Sequence, residues 1–212
     1  MTAAFAHGFL LALALILPLG PQNTFVISQG ATHRQYRQTL PVVVTAALSD
    51  TILISVAVLG VSVVLLTVPM LKVILTILGI LFLIKMGWHS WRAPVHSQTS
   101  ENETSRYWTL PRRVGHTLRA SLLNPHAIMD TVIVIGGGSV MYSRPDDKLA
   151  YAVAAMLVSW MWFFALSLAG RLLVELPHSF GLLQGFNRLS AGIMWFIAGR
   201  YLIQLSHMLW NG

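Results

Sequence analysis

The sequence predicts an all-α polytopic membrane protein with six transmembrane helices, arranged as two inverted three-helix halves in which helices 1 and 4 are broken. Composition is the first reason, because 55% of the 212 residues are hydrophobic and 10% are charged, whereas soluble domains carry about 25% charged residues. Long apolar runs recur along the whole chain. Gly-Pro interrupts the first run and Asn-Pro the fourth, and proline breaks a regular helix.

Composition and motifs also exclude several classes of protein. The net charge of +7 comes from basic residues that lie between the apolar runs, where they orient a chain in the bilayer and do not form a nucleic-acid patch. The absence of cysteine excludes disulfides and thiolate metal sites. The sequence contains no Walker loop, zinc signature or nucleophile elbow, so neither an ATP-driven pump, a metal site, a cofactor nor an enzyme is expected.

Six apolar runs approach the roughly 20 residues that a transmembrane helix needs. The predicted spans are 5–29, 40–66, 70–91, 114–140, 149–174 and 184–206. The first run resembles a signal peptide but lacks a basic start and a clear cleavage site, so we expect it to be retained. A polar stretch, 95–111, is expected to link half 1 (1–94) to half 2 (112–212) within a single transmembrane domain, 1–212.

The arginines at the span ends predict the orientation. With six spans, one side of the membrane receives most of them, and the positive-inside rule makes that side cytoplasmic and leaves both termini outside. These residues are Arg34, Arg37, Arg92, Arg106, Arg112, Arg113 and Arg171. Three spans per half is an odd number, so the two halves are expected to be inverted relative to each other.

The first predicted break lies at Pro18-Leu19-Gly20-Pro21. Pro21 has no N–H to donate, and Gly20 can take backbone angles that are closed to other residues, so we expect one helix to end here and another to begin at Pro21. Gln22 and Asn23 then fall in the first turn of the new half-helix, where unpaired N–H groups and the positive end of the dipole attract an anion.

The second predicted break lies at Asn124-Pro125-His126. Asn is a favoured N-cap and Pro a favoured first helical residue, so a second half-helix is expected to begin here. His126 and Asp130 are four residues apart and share a helix face. The pair is consistent with a proton relay or a metal site, but a simple hydrogen bond is the favoured interpretation.

Asp50 lies near the middle of span 2. A charge at that depth costs on the order of 2.5–3.5 kcal/mol, so Asp50 is a candidate functional residue. The alternative is a structural ion pair or a protonated carboxyl group bonded to a carbonyl. Asp130, within span 4, is a candidate for the same reason. A weak echo between Ala47-Leu48-Ser49-Asp50 and Leu157-Val158-Ser159-Trp160 favours an internal duplication.

Several motifs together resemble the lysine exporter (LysE) family. They are Ile16–Asn23 (ILPLGPQN), Ser28-Gln29-Gly30, Leu48-Ser49-Asp50, Gly87-Trp88, Leu123-Asn124-Pro125-His126 with Asp130-Thr131, and Trp162-Phe163-Phe164. The resemblance covers nearly the whole chain. It implies a multi-pass protein of the bacterial inner membrane that exports basic amino acids, driven by the electrochemical gradient.

The resulting hypothesis is a secondary transporter that works by alternating access. The α-carboxylate of the amino acid would sit at a half-helix N-terminus, near Gln22, Asn23 or the Asn124-Pro125 turn, and Asp50 or Asp130 would face a cationic group. Moving one positive charge out against the membrane potential costs about 2.3 kcal/mol per 100 mV, so antiport of a proton is expected. The expected partners are protons, the lipid bilayer and arginine, lysine or canavanine; monomer and homodimer both stay open.

Two kinds of alternative stay open as well. Within transport, the substrate could be a neutral amino acid or another small cation. Outside transport, an intramembrane enzyme would need Asp50, His126 and Asp130 to converge on one cavity, and a structural membrane subunit would leave the paired helix breaks without a role.

Overall fold

A computed structural model describes the chain except for residues 19, 34, 68–69, 93–107, 125–126, 129, 174–179 and 211–212. Within these described residues all regular secondary structure is helical. The α-helices are α1 (Thr2–Ile16), α2 (Pro21–Thr32), α3 (Leu40–Thr67), α4 (Met70–Arg92), α5 (Leu110–Leu122), α6 (Pro145–Leu173) and α7 (Phe180–Trp210). A short 3-10 turn (Tyr36–Gln38) precedes α3, and a π-helix (Asp130–Gly136) continues into a helical turn, Gly137–Ser139. Most of the predicted linker, 95–107, lies outside the described residues.

The first predicted span is broken where the sequence predicts. Helix α1 ends at Ile16 and α2 begins at Pro21. Gly20 occupies the N-cap with extended backbone angles, φ −75° and ψ 178°. Any residue can adopt these angles, so the break does not use the conformational freedom of glycine. The chain changes direction immediately before the proline. Proline at the first helical position loses no hydrogen bond, since that N–H has no partner within a helix. The break therefore needs no distortion of either helix.

The fourth predicted span is also interrupted, but its second part differs from the expected half-helix. Helix α5 ends at Leu122, and the amide of Ile128 donates to the carbonyl of Asn124 over 3.1 Å, so a new turn begins at Asn124. The segment from Asp130 to Gly136 is then a π-helix. Such wide turns are rare and frequently occur at functional sites. Pro125 and His126 lie outside the described residues.

The outer surface of the protein is apolar in stripes. On α3, Leu48, Ile52, Val56 and Leu59 are between 46% and 68% exposed, at the spacing that places them on one helix face. Within the described residues, two stretches are long and apolar enough to cross a membrane, Leu40–Gly60 and Pro145–Leu172. The stripes face outward as expected for contact with lipid, and the remaining four spans stay predictions.

Each predicted broken span packs against a helix from the other predicted half of the chain. Helices α1 and α2 together run parallel to α6, because Met1 meets Asp147 at one end and Gly30 meets Ser167 at the other. Helix α5 and the π-helix run along α3 in the same way, from the contact of Arg113 with the Gln38 carbonyl to a shared apolar cluster deeper in the protein. Helices from the first part of the chain therefore pack between helices from the second.

Two further contacts complete this arrangement. Helices α4 and α7 pack antiparallel along their lengths, with Ser90 donating to the Asn187 carbonyl over 2.9 Å. Helices α3 and α6 cross near their middles, where the indole of Trp160 donates to the Thr51 hydroxyl over 3.1 Å. This crossing brings the middle of α3 beside the break between α1 and α2, so the fold places Asp50 near Gln22.

Candidate functional site

Side chains satisfy the backbone groups that the first break leaves unpaired. The side-chain amide of Asn23 donates to the backbone carbonyls of Ile16 at 2.6 Å and Pro18 at 2.9 Å. The hydroxyl of Ser190 donates to the carbonyl of Ala14. Away from water, leaving each of these carbonyls without a hydrogen bond would cost several kcal/mol. Asn23 thus holds the break together, and both of its amide hydrogens are already engaged.

Asn23 and its neighbour Gln22 are expected to respond differently to mutation. Asn23→Ala removes two hydrogen bonds from backbone carbonyls of the break and should destabilise the protein by about 1–3 kcal/mol. Gln22→Ala should leave the melting temperature in detergent nearly unchanged, because the Gln22 Nε2 bonds no group among the described residues. Thermal unfolding of the two variants in detergent separates them; equal melting temperatures for both variants would contradict the role given to Asn23.

Three side chains from three helices converge beside the break. Gln22 in the first turn of α2 and Ser159 in the middle of α6 both face the carboxylate of Asp50 in α3. The Gln22 Nε2 is buried and has no hydrogen-bond partner among the described residues, so the amide approaches the carboxylate without closing a bond of standard geometry. We call Gln22, Asp50 and Ser159 the central cluster.

The N-terminus of α2 opens onto the central cluster. Its N-cap, Gly20, has no side chain to bond the first-turn N–H groups, and the positive end of the helix dipole lies there. An anion could bind these groups while the Asp50 carboxylate accepts hydrogen bonds from a cation. An uncapped helix start beside a carboxylate can therefore hold a zwitterion, a molecule with both charges.

The structure distributes the other predicted site residues around this cluster. Asp130 is partly buried at the start of the π-helix, which packs along α3, and its Oδ1 is buried without a hydrogen-bond partner among the described residues. Asn124 begins the turn after α5. The predicted pairing of His126 with Asp130 involves a residue outside the described part of the chain. Of the predicted site residues, Asp50 and Gln22 are thus the two that the fold brings together.

Sequence reasoning did not select Ser159 as a site residue. The one sequence feature that includes Ser159 is the weak similarity between Leu48-Ser49-Asp50 and Val158-Ser159-Trp160, which favours an internal duplication. In the structure these two segments meet where α3 crosses α6. Segments related by a two-fold axis can pack against each other at that axis. The similarity between the two segments is therefore also consistent with their contact.

Two polar clusters at opposite ends of the bundle were missed as well. At one end, Arg113 is 8% exposed and bonds residues of α2 and of the turn after it. At the other end, both ring nitrogens of His7 bond tyrosine hydroxyls, those of Tyr142 and Tyr201. Burial, and after it the charge of Asp147, raises the pKa of Tyr142 above its usual value, so this hydroxyl stays protonated at neutral pH. From the sequence, Arg113 was one of several arginines that predict the orientation of the chain in the membrane.

Comparison with known proteins gives a consistent result. The family model described as "LysE type translocator" matches residues 13–205. A Bacillus subtilis protein named "Putative amino-acid transporter YisU" is 41% identical over 202 residues, which are 95% of this chain and 90% of that protein. A Yersinia enterocolitica protein named "Arginine exporter protein ArgO" is 37% identical over 204 residues, 93% of this chain and 95% of that protein.

A protein of the same name from Salmonella paratyphi A is 32% identical over 220 residues, and the match covers all of both chains. No solved structure matches.

Proposed function

Because the chain belongs to the LysE type translocator family, we propose that it is a secondary transporter that exports a basic amino acid, with arginine as the first candidate. Relatives of nearly equal length are named arginine exporters, which supports arginine ahead of a neutral amino acid. The proposed location is the bacterial inner membrane, with the arginine-rich ends of the helices in the cytoplasm.

The observation that carries this proposal is the central cluster at the break of the first span. The uncapped N-terminus of α2 suits the substrate carboxylate, and the adjacent Asp50 carboxylate suits its α-ammonium or guanidinium group. Ser159 and Gln22 supply further polar atoms at the same place. An arrangement of this kind binds a zwitterion in several transporter folds that use broken helices.

The exchange of packing partners between the halves supports six spans with inverted repeats. When each helix is replaced by its counterpart in the other predicted half, the contact of α1 and α2 with α6 becomes the contact of α5 and the π-helix with α3. The contacts of α4 with α7 and of α3 with α6 then map onto themselves. The first span runs in the opposite direction to the fourth, as the inverted plan requires.

Proton antiport follows from the charge that the substrate carries. Export of a cation against an inside-negative potential of 100 mV costs about 2.3 kcal/mol, and the entry of one proton cancels that charge movement. Coupling needs a group that binds either the substrate cation or a proton but not both at once. Asp50 is proposed for this role, and Asp130, whose Oδ1 has no hydrogen-bond partner in the described part of the chain, is the second candidate.

Transport by the purified protein tests this function. Proteoliposomes preloaded with labelled arginine should lose it at least about 10-fold faster than empty liposomes when the outside is made acidic, because that gradient drives protons inward. Unlabelled lysine, canavanine and leucine added inside should compete in order of their likeness to arginine, with leucine weakest. If each of the four amino acids leaves the liposomes at the same rate with and without the protein, the proposed function is ruled out. If leucine alone competes with arginine, the substrate is a neutral amino acid instead.

A further inference from the structure

A polar cluster closes each end of the bundle, and the two clusters occupy corresponding places in the two halves. We call Arg113, Gln29, His33 and Gln38 the inner cluster, since they lie at the arginine-rich end. We call His7, Tyr142 and Tyr201 the outer cluster. His7 lies 14 residues before Pro21, and Arg113 lies 12 residues before Pro125, so each belongs to the first part of a broken span.

The inner cluster joins the start of the fourth span to the end of the first. Nη1 of Arg113 donates to the Gln38 carbonyl at 3.0 Å and to the Gln29 side-chain oxygen at 3.4 Å, and lies 2.5 Å from the His33 ring. Because a guanidinium group only donates, all three partner atoms accept. The guanidinium Nε is buried and unpaired among the described residues. Nη1 is therefore the atom of Arg113 that makes these three contacts.

The outer cluster joins the start of the first span to the segment that follows the fourth. The His7 ring bonds the Tyr142 hydroxyl at 2.8 Å and the Tyr201 hydroxyl at 3.0 Å. A hydroxyl both donates and accepts, so either tautomer of a neutral ring is satisfied. The Tyr151 ring contacts the same imidazole at a tilt of 52° with centroids 5.3 Å apart, and its hydroxyl donates to the Ile135 carbonyl of the π-helix.

We infer that His7 and Arg113 are the positioning residues of two opposed gates, the outer and inner clusters, which control access to the central cluster from the two sides of the membrane. This inference rests on the proposed function. Each gate ties one end of the first broken span, which carries Gln22, to an end of the fourth. Opening either gate therefore frees the span that brings Gln22 to the central cluster at that end. The two gates are related by the same exchange of halves that relates the packing.

The two gates differ in how completely their groups are paired. In the outer cluster both ring nitrogens of His7 are bonded, and Tyr201 is 3% exposed. In the inner cluster the Nε of Arg113 is buried and has no hydrogen-bond partner among the described residues, and the same is true of the hydroxyl of Thr39, the residue after Gln38. Unpaired buried donors weaken a contact. The inner gate is therefore the one that opens more readily at rest.

The absence of cysteine from the chain allows a direct test in the full protein. A single reporter, Ser159→Cys, places a thiol in the central cluster, and a charged methanethiosulfonate reagent that does not cross bilayers is added to one side of oriented vesicles. His7→Ala should raise labelling from the outer side at least about 10-fold and lower it from the inner side, since the two gates oppose each other. Arg113→Gln should do the reverse. Tyr142→Phe, which removes a single hydrogen bond, should act like His7→Ala but less strongly.

Arg112→Gln and His89→Ala serve as matched controls, because both side chains are exposed and belong to neither gate; their labelling should equal that of the reporter alone. Labelling that rises from both sides in His7→Ala and Arg113→Gln would show general loosening and overturn the inference, as would labelling that changes in neither. Arginine efflux by the wild type is measured in the same vesicles. Efflux without opposed labelling overturns the gates, whereas opposed labelling without efflux of any amino acid overturns the proposed function.

Discussion

Gly30→Ala is expected to prevent the protein from reaching a stable folded state, because α2 and α6 touch there backbone to backbone. A Cβ atom added to Gly30 would overlap the carbonyl oxygen of Ser167, and one added to Gly170 would overlap that of Ile27. Backbone atoms cannot move aside as a flexible side chain can. Overpacking a core typically costs 1–3 kcal/mol, and here we expect about 3 kcal/mol or more for either substitution.

Folded yield after detergent extraction and the melting temperature measure this effect. Gly192→Ala is the matched control, since it also lies in a long helix and an added Cβ would meet nothing within 4 Å. Alanine should even stabilise that helix by about 0.5–1 kcal/mol relative to glycine. Equal melting temperatures for Gly30→Ala and Gly192→Ala would mean that α2 and α6 do not pack as closely as the structure places them.

The glycine contacts illustrate what the sequence could not predict. Gly30 stood in a recognisable motif, whereas Gly170 stood in none, and neither reveals its partner from local pattern. Which glycine faces a carbonyl depends on how two helices from different halves cross. The same holds for the short polar contacts of His7, whose partners are 135 and 194 residues away in the chain.

Local chemistry predicted the first break well. Pro21 favours the first position of a helix whatever the surroundings, and α2 begins at Pro21. The second break was predicted from the same kind of signal at Asn124, and a turn does begin there. The π-helix that follows was not predicted, because its wide turns depend on packing against α3 and not on a residue type that marks them.

Part of the candidate site could be predicted because it departs from an apolar background. Asp50 is the only acidic residue in span 2, and Gln22 follows the broken turn directly. Arg113 stood among several arginines at span ends, where most serve orientation, so its burial carried no sequence signal. Polar residues are thus conspicuous inside apolar runs and inconspicuous at their ends.

Asp50→Asn is expected to abolish transport while the protein still folds. Asparagine has nearly the same shape and keeps a hydrogen-bond acceptor for Ser159, but it removes the negative charge that we propose binds the substrate cation. Removing one partner of a buried charge pair costs about 3–5 kcal/mol, which corresponds to a loss of at least about 100-fold in the apparent affinity for arginine. Asp146→Asn, at an exposed carboxylate near the start of α6, should leave transport unchanged.

Two assays on the same proteoliposomes locate the role of Asp50. Efflux driven by a pH gradient needs both substrate binding and proton coupling, whereas exchange of internal unlabelled arginine for external labelled arginine needs binding alone. Loss of both activities places the substrate cation on Asp50. Loss of efflux with exchange retained would leave Asp50 a coupling role only, and the cation would then have to bind elsewhere, with Asp130 as the next carboxylate to test. Undiminished efflux and exchange in Asp50→Asn would remove this carboxylate from the mechanism altogether, because no neutral side chain can reproduce its charge at that depth.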